Sequence, residues 1–385
     1  MGRFRDALAV PGLRAIAEVK RRSPSAGDLR PNADPARLAP DFAAAGAAAI
    51  SILVDERFGG AVDDLRAARA ATPAPLLAKG FFTDESQLDE LHAAGADAAL
   101  LILRDLDDAR AAALLAHARV LGLDTLVEAH DAVELQRAEQ LGAEVIGVNA
   151  RDLSTFRIDR DAQLRLLSQA PPERIVVAES AIYTRAQGAA AELAGADAVL
   201  VGTALMRATD PPQKLGELLS RPLVKVCGMT NQDDVNAALD AGADMIGFIF
   251  AEGSPRRAPA ILEVPDTALS VAVFVGDADE TDADLVQLYA REDGRVRGRD
   301  AVLLRDGEQV ARVLDLPWDE PDPAHLERAA AHEGRVVLAG KLDANNVRAA
   351  VATVRPWAVD AVSRLEREPG KKDNDKVRAF VEAAR

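Results

Sequence analysis

The chain has 385 residues, 49% hydrophobic and 28% charged, which suits two domains of ordinary size better than one and argues against disorder over most of its length. Its 62 acidic residues outnumber 46 Lys and Arg, a formal charge of −16, which argues against bulk nucleic-acid binding and adhesion to anionic membranes but allows a local basic pocket. A single cysteine, Cys227, excludes an intrachain disulfide and a multi-cysteine zinc site. No apolar run approaches ~18 residues and no signal-peptide core is evident, so a cytoplasmic protein is expected. The five histidines are scattered, which places the expected chemistry on Lys, Glu, Asp and the cysteine.

Over the first 220 residues one phrase repeats: a short apolar run, a polar turn, an Ala/Leu-rich helical stretch, then a Gly-Ala lead-in to the next run. The runs are IAEVK (16–20), AAISILV (48–54), PLLAK (75–79), AALLIL (98–103), TLVEA (125–129), VIGVNA (145–150), RIVVAES (174–180) and AVLVG (198–202). Strands apolar on both faces and alternating with helices predict a parallel sheet, and eight such units predict a (βα)8 barrel. After a seam at 218–225 the phrase restarts with LVKVCG (223–228), MIGFIF (245–250), LSVAVFV (269–275), LVQLY (285–289), DAVLL (300–304), VARVLDL (310–316), RVVLAG (335–340) and WAVDAV (357–362). Helical stretches in this half fall at 232–243, 324–334, 345–354 and 375–384. Residues 223–385 are fewer than the roughly 200 usual for a barrel. The Asp306-Gly307 turn between two apolar runs predicts a hairpin in place of one helix. The expected architecture is α/β: two tandem (βα)8 TIM barrels, 1–220 and 221–385, the second shortened.

A barrel's active site lies at the C-terminal ends of its strands. The chargeable and polar residues closing the first eight runs are Glu18, Lys20, Lys79, Glu128, Asn149, Arg151, Glu179 and Ser180, with Gly202-Thr203 closing the last. Glu18 and Lys20, two apart on a strand, point the same way. Two lysines and three glutamates at one mouth must pair to be desolvated, and such crowding shifts pKa values toward working acids and bases. Phosphate-binding backbone is expected after strands seven and eight.

IAEVKRRSPSAG, LLAKGFF, LVEAH, IGVNARDL, VAESAI and VLVGTALM, in this order over residues 13–207, resemble indole-3-glycerol-phosphate synthase. That family closes a pyrrole ring on a carboxyphenylamino-deoxyribulose phosphate with loss of CO2 and water. The resemblance implies Lys79 as general acid on the substrate carbonyl and Glu128 as acid/base in the dehydration. It implies Lys20 with Glu18 as the couple holding the substrate carboxylate, and Asn149, Glu179 and Ser180 as lining residues. Arg22, Ser23, Gly202 and Thr203 match the phosphate end, with Arg151 among the substrate-binding set. Three departures stand out: Gly80 where the family has Asp after the lysine, Ala181 where it has Gly, and only about twelve residues before the first strand, where the family carries a helical extension over the mouth.

In the second half Cys227 ends the first strand, followed by Gly228 and a helix start, a setting expected to lower the thiol pKa. KVCGMTNQDDVNAALDAGADMIGFIF, SPRR, VAVFV, LAGKLDANNV and RPWAVD…EPGKKD resemble phosphoribosylanthranilate isomerase, which performs an Amadori rearrangement. The resemblance implies Cys227 as general base, Asp315 as the candidate general acid and Arg256 as the grip on the anthranilate carboxylate. Gly340, Lys341, Asp360, Ser363 and Arg364 complete the implied substrate-binding set. The family's QLHG reads QLYA here, its phosphate loop after the aspartate is reduced to Leu316-Pro317-Trp318, and Lys341 and Arg364 stand where it has glycines. These cations are read as replacing backbone donors for the phosphate dianion.

Together the resemblances imply consecutive steps of tryptophan biosynthesis on sugar-phosphate anthranilate substrates. Neither step is redox, so no metal or organic cofactor is expected, and neither nucleic acid nor membrane is an expected partner. A monomer or weak homodimer is expected. Two other readings stay open: a synthase with a decayed, docking second half, and a non-catalytic phosphometabolite-binding protein.

Overall fold

The computed structural model of the protein describes residues 2–23, 27–151, 157–292, 297–316 and 322–385. The chain falls into two compact units, Met1–Tyr183 with Gly188–Leu219, and Thr184–Gln187 with Ser220–Arg385.

The first unit is a closed barrel of eight parallel strands. They are β1 (Arg14–Val19), β2 (Ala49–Leu53), β3 (Leu76–Lys79), β4 (Ala98–Ile102), β5 (Asp124–Ala129), β6 (Val145–Asn149), β7 (Ile175–Glu179) and β8 (Ala198–Val201). Every residue of β2, β4 and β8 is buried, as the unbroken apolar runs require of strands with helices outside and packed side chains within. β1 closes the barrel, with Ala17 opposite Val201 and Glu18 opposite Ser51. The helices are α1 (Arg3–Leu8), α2 (Pro35–Ala44), α3 (Val62–Ala71), α4 (Glu85–Ala93), α5 (Asp108–Leu121), α6 (Ala132–Gln140), α7 (Arg160–Leu167), α8 (Arg185–Leu193), α9 (Thr203–Arg207) and α10 (Pro211–Leu219). Asp34, Asp84, Asp107, Asp131 and Asp159 each accept a first-turn backbone N–H, so part of the acidic excess serves as helix caps. The Gly-Ala lead-in also has a structural cause: Gly95, just past α4, takes φ +93, where a side chain would be strained.

α1 buries Phe4 and Leu8. The N–H groups of Phe4 and Arg5 both donate to Asp124 Oδ2 at 3.1 Å, at the first residue of β5. This helix therefore sits at the N-terminal end of the barrel, opposite the mouth.

The second unit is also a closed eight-stranded barrel, but a mixed one. Its strands are β9 (Leu223–Cys227), β10 (Met245–Ile249), β11 (Leu269–Val275), β12 (Leu285–Tyr289), β13 (Ala301–Arg305), β14 (Glu308–Leu314), β15 (Val336–Leu338) and β16 (Ala358–Ala361). β13 runs antiparallel to both neighbours. Asp306 (φ +49) and Gly307 (φ +83) form the tight turn into β14, so the hairpin lies where the Asp-Gly pair placed it. The helices are α11 (Gln232–Asp240), α12 (His325–Ala330), α13 (Val347–Val354) and α14 (Asn374–Ala384). Among the described residues no helix lies between β10 and β13. Pro255, Pro259 and Pro265 interrupt the first of these connections. Asp277, Asp279, Glu280, Asp282 and Asp284 deny the second an apolar face.

Candidate active site

Glu18, Lys79, Glu128 and Glu179 come from β1, β3, β5 and β7, the alternate strands that build one side-chain layer in such a barrel. Lys79 Nζ donates to Glu179 Oε2 at 2.6 Å and lies 3.5 Å from Glu18 Oε2. Lys20 Nζ is 2.7 Å from Glu18 Oε1. The three glutamates are almost fully buried. Glycines make the space: a Cβ on Gly202 would lie 2.3 Å from Glu18 Oε1, and one on Gly147 would lie 2.1 Å from Glu179 Oε1. Gly147 was not singled out in the sequence. Its only signal was a glycine inside a strand, which marks close approach of another group.

The structure corrects the expectation that histidine takes no part. His130, one residue past β5, places Nε2 3.0 Å from Glu128 Oε1 and Nδ1 3.0 Å from Glu134 Oε2. Burial works to lower its pKa, but the two carboxylates outweigh that and lift it to about 10. Burial pushes Glu128 up, yet His130, Lys79 and Asn149 hold it well below the usual carboxylate range. Glu179 behaves oppositely. Burial and the Glu128 charge outweigh the pull of Lys79 and push it up to about 7. Glu18 is lowered, because Lys20 and Lys79 overcome its burial. Lys79 is desolvated, yet Glu179, Glu18 and Glu128 raise its pKa, so it is an ammonium throughout the working range. Two carboxylates with pKa values driven apart, flanking one cation, suit proton transfer in both directions.

This cluster opens on a cavity of about 370 Å³. One wall is polar: Glu18, Lys20, Ser23, Lys79, Glu128, Asn149, Arg151 and Ser180. The other is apolar, with Leu53, Phe58, Phe81, Leu100 and Ile102. Phe58 stacks on Phe81 at 6.3 Å between centroids, and the Arg57 guanidinium sits 3.9 Å above the Phe81 ring. Gly80 lines the same wall. A smaller adjoining cavity of about 50 Å³ is bounded by Glu18, Lys20, Lys79, Arg151 and the backbone-rich segments 180–183 and 200–204. Here Gly202 and Thr203 stand at the end of β8. Ser180 (φ +69) and Ala181 (φ +57) are consecutive left-handed residues after β7, so alanine holds the conformation the family's glycine would hold. Arg22 is not brought to either cavity: its side chain is 55% exposed, 3.8 Å from Asp28.

In the second barrel Lys225 Nζ donates to Asp360 Oδ2 at 2.7 Å and to Gln287 Oε1 at 2.8 Å. Gln287 Nε2 donates to the Tyr289 hydroxyl at 2.9 Å, which donates to Asp315 Oδ2 at 2.9 Å. Arg297 also pairs with Asp315 and stacks over Tyr289, 4.1 Å from its centroid. Cys227 is buried at the end of β9. The expected fall in its pKa is corrected: burial raises it, and Asp360 adds to the rise against the pull of Lys225 and Lys372. Arg256 is bound to Glu366 through Nε and a terminal nitrogen at 2.8–3.0 Å. Lys341 takes φ +57, the backbone of the glycine it replaces, after Gly340 (φ +97), which packs against Leu316. Ser363 and Arg364 are exposed on a short 3-10 turn. Pro317 and Trp318 lie outside the described residues.

The family profile described as indole-3-glycerol phosphate synthase matches residues 3–218. The chain belongs to this family. An indole-3-glycerol phosphate synthase of Streptomyces coelicolor is 50% identical over 209 residues, 54% of this chain and 81% of that protein. The family's barrel accounts for the first unit. A second profile, N-(5'phosphoribosyl)anthranilate (PRA) isomerase, matches residues 322–383, from before α12 to near the end of α14. A multifunctional tryptophan biosynthesis protein of Phycomyces blakesleeanus is 32% identical over 481 residues, 96% of this chain, and the chain spans 62% of that protein's length. A solved phosphoribosyl anthranilate isomerase is 27% identical, with 43% of this chain and 98% of that chain covered and a TM-score of 0.33. No helix among the described residues is long and apolar enough to cross a membrane.

Proposed function

We propose that the chain carries two consecutive activities of tryptophan biosynthesis, divided near residue 220. The second unit isomerises phosphoribosylanthranilate, and the first closes the ring of the resulting carboxyphenylamino-deoxyribulose phosphate to give indole-3-glycerol phosphate. The observation that carries the reading is Lys79 held between Glu18 and Glu179 at the head of a cavity that is half aromatic and half charged.

The apolar wall suits the anthranilate ring, and the Gly202-Thr203 side suits the phosphate. The Lys79 ammonium protonates the ketone oxygen as the aromatic carbon bearing the carboxylate attacks the carbonyl carbon. Loss of CO2 then restores the aromatic electrons. Ionised Glu128 accepts the carbon-bound proton when water leaves, and protonated Glu179 supplies a proton on the leaving side through its contact with Lys79. Lys20, steadied by Glu18, holds the substrate carboxylate. In the second unit Cys227 removes the proton from the sugar carbon next to the amine-bearing one, and Asp315 protonates the ring oxygen.

Two contacts favour a second reading, a synthase with a non-catalytic second unit: Arg256 is engaged by Glu366, and Asp315 by Arg297. Separate assays of the two half-reactions on the purified chain decide. Ring closure without isomerisation selects the second reading, and absence of both overturns the proposal.

A further inference from the structure

Beside Cys227 lies a charged group to which no role has been given. Lys372, on a two-residue strand paired with Glu366–Glu368, is fully buried. Its backbone N–H donates to Asp234 Oδ2 at 2.8 Å, which fixes the strand against the cap of α11. Its Nζ donates to Glu366 Oε1 at 3.2 Å and to the Val362 carbonyl at 3.3 Å. The ammonium stands over the residue after the cysteine: a Cβ placed on Gly228 would meet Lys372 Nζ at 3.5 Å and Arg256 Cδ at 3.4 Å.

The charge arithmetic around the thiol is unequal on its two sides. Toward the barrel interior, Lys225 is matched by Asp360, one cation to one carboxylate. Toward the mouth, Arg256 and Lys372 share the single carboxylate of Glu366. That side keeps one positive charge in excess, and its Lys372 and Glu366 members are shielded from water by burial.

We propose that Lys372 is a positioning residue for the isomerase reaction, its ammonium held by Glu366 so as to favour Cys227 as the thiolate that the base role requires. The inference rests on the reading of Cys227 as general base. The groups facing the thiol are Lys225 on β9, Asp360 on β16 and the Lys372–Glu366–Arg256 group. Of these Lys225 and Lys372 draw the thiol pKa down while burial and Asp360 push it up. Burial also draws Lys372 itself down, as expected of an ammonium with half a counter-charge.

The test is a titration. The chain has one cysteine, so the ultraviolet absorbance of the thiolate, corrected with Cys227→Ser, reports this group alone. In the full chain Lys372→Met should raise the thiol midpoint by at least about one pH unit, and Lys372→Arg should restore it. Glu366→Gln should move it the other way, and carries the test should Lys372→Met fail to fold. The pH at which isomerase kcat/KM rises should follow the midpoint in each variant. An unchanged midpoint in folded Lys372→Met, or in Glu366→Gln, overturns the inference. A parent chain without isomerase activity overturns the functional reading instead, since the titration needs no turnover.

Discussion

Lys79 and Glu179 meet at 2.6 Å across the first barrel, the ammonium from β3 and the carboxylate from β7. Neither is there for stability. A buried ion pair seldom repays its desolvation, and Glu179 Oε1 has no hydrogen-bond donor at all. A proton on Glu179 would relieve that oxygen, which is why the pair is poised for transfer.

Lys79→Ala should therefore reduce ring closure by at least ~100-fold, the low end of what a positioned acid supplies, and leave isomerisation unchanged. Single-turnover assays of both half-reactions check this. Retention of more than about a tenth of the ring-closure rate would show that another donor serves the carbonyl.

The raised pKa of Glu179 predicts a stability slope. The folded protein holds this proton up to about 7, whereas the unfolded chain loses it near 4.5. The folded state binds more protons in that window, so stability falls as pH rises through it, and the cost is complete above it. Glu179→Gln should flatten the slope of unfolding free energy between these limits, as read by urea titration. It should also remove an ionisation near neutrality from the ring-closure profile. A slope identical to the parent's would place the titrating group elsewhere.

All sixteen barrel strands and the four helices of the second unit could be read from the sequence, because apolar runs buried on both faces and Gly-Ala lead-ins are local signals. The Asp306-Gly307 hairpin was legible for the same reason: one dipeptide determines it. The converging charges were legible once strand ends were known to share a mouth. His130 was not, since its role depends on Glu134 one helical turn away in α6. Cys227 misled because the helix start and Lys225 are visible in sequence, while burial, the stronger influence, is a property of the closed barrel. Lys372 lies in the EPGKKD stretch, but only the folded-back strand reveals its place above Gly228.

Ala181 supplies a test of strain. Two successive non-glycine residues at positive φ cost on the order of 1–2 kcal/mol each. Ala181→Gly should stabilise the protein by about 1 kcal/mol and lower KM for the phosphorylated substrate by opening the backbone at the small cavity. An unchanged KM with raised stability would separate strain from phosphate binding.

His130 gives a pH signature of the same sign in a higher window of its own. Its folded pKa of about 10 lies above the ordinary 6.5, so the charged imidazolium stabilises the fold fully below 6.5 and loses that effect as pH rises toward 10. The stability gap between parent and His130→Gln should be widest in mild acid and close by about pH 10. Ring closure should also weaken in this variant, because Glu128 loses one of the two cations that hold its pKa down. A gap independent of pH would mean the ring contributes packing alone.

The isomerase site offers the sharpest separation of the two readings. Asp315 Oδ2 takes hydrogen bonds from Tyr289 and Arg297, while Cys227 lies on β9, linked to them through Lys225 and Gln287. Burial and Asp315 push the Tyr289 phenol pKa well up, so its hydroxyl remains a donor across the working range. Cys227→Ser and Asp315→Asn should each reduce isomerisation at least ~100-fold while ring closure stays at the parent rate. Tyr289→Phe keeps the ring under Arg297 and removes both hydrogen bonds of the hydroxyl, the one from Gln287 and the one to Asp315, so a loss of roughly tenfold in kcat is expected, with KM unchanged. Equal activity in Asp315→Asn and parent would remove Asp315 from the reaction. A parent with ring closure but no isomerisation would identify the second barrel as a structural partner of the first.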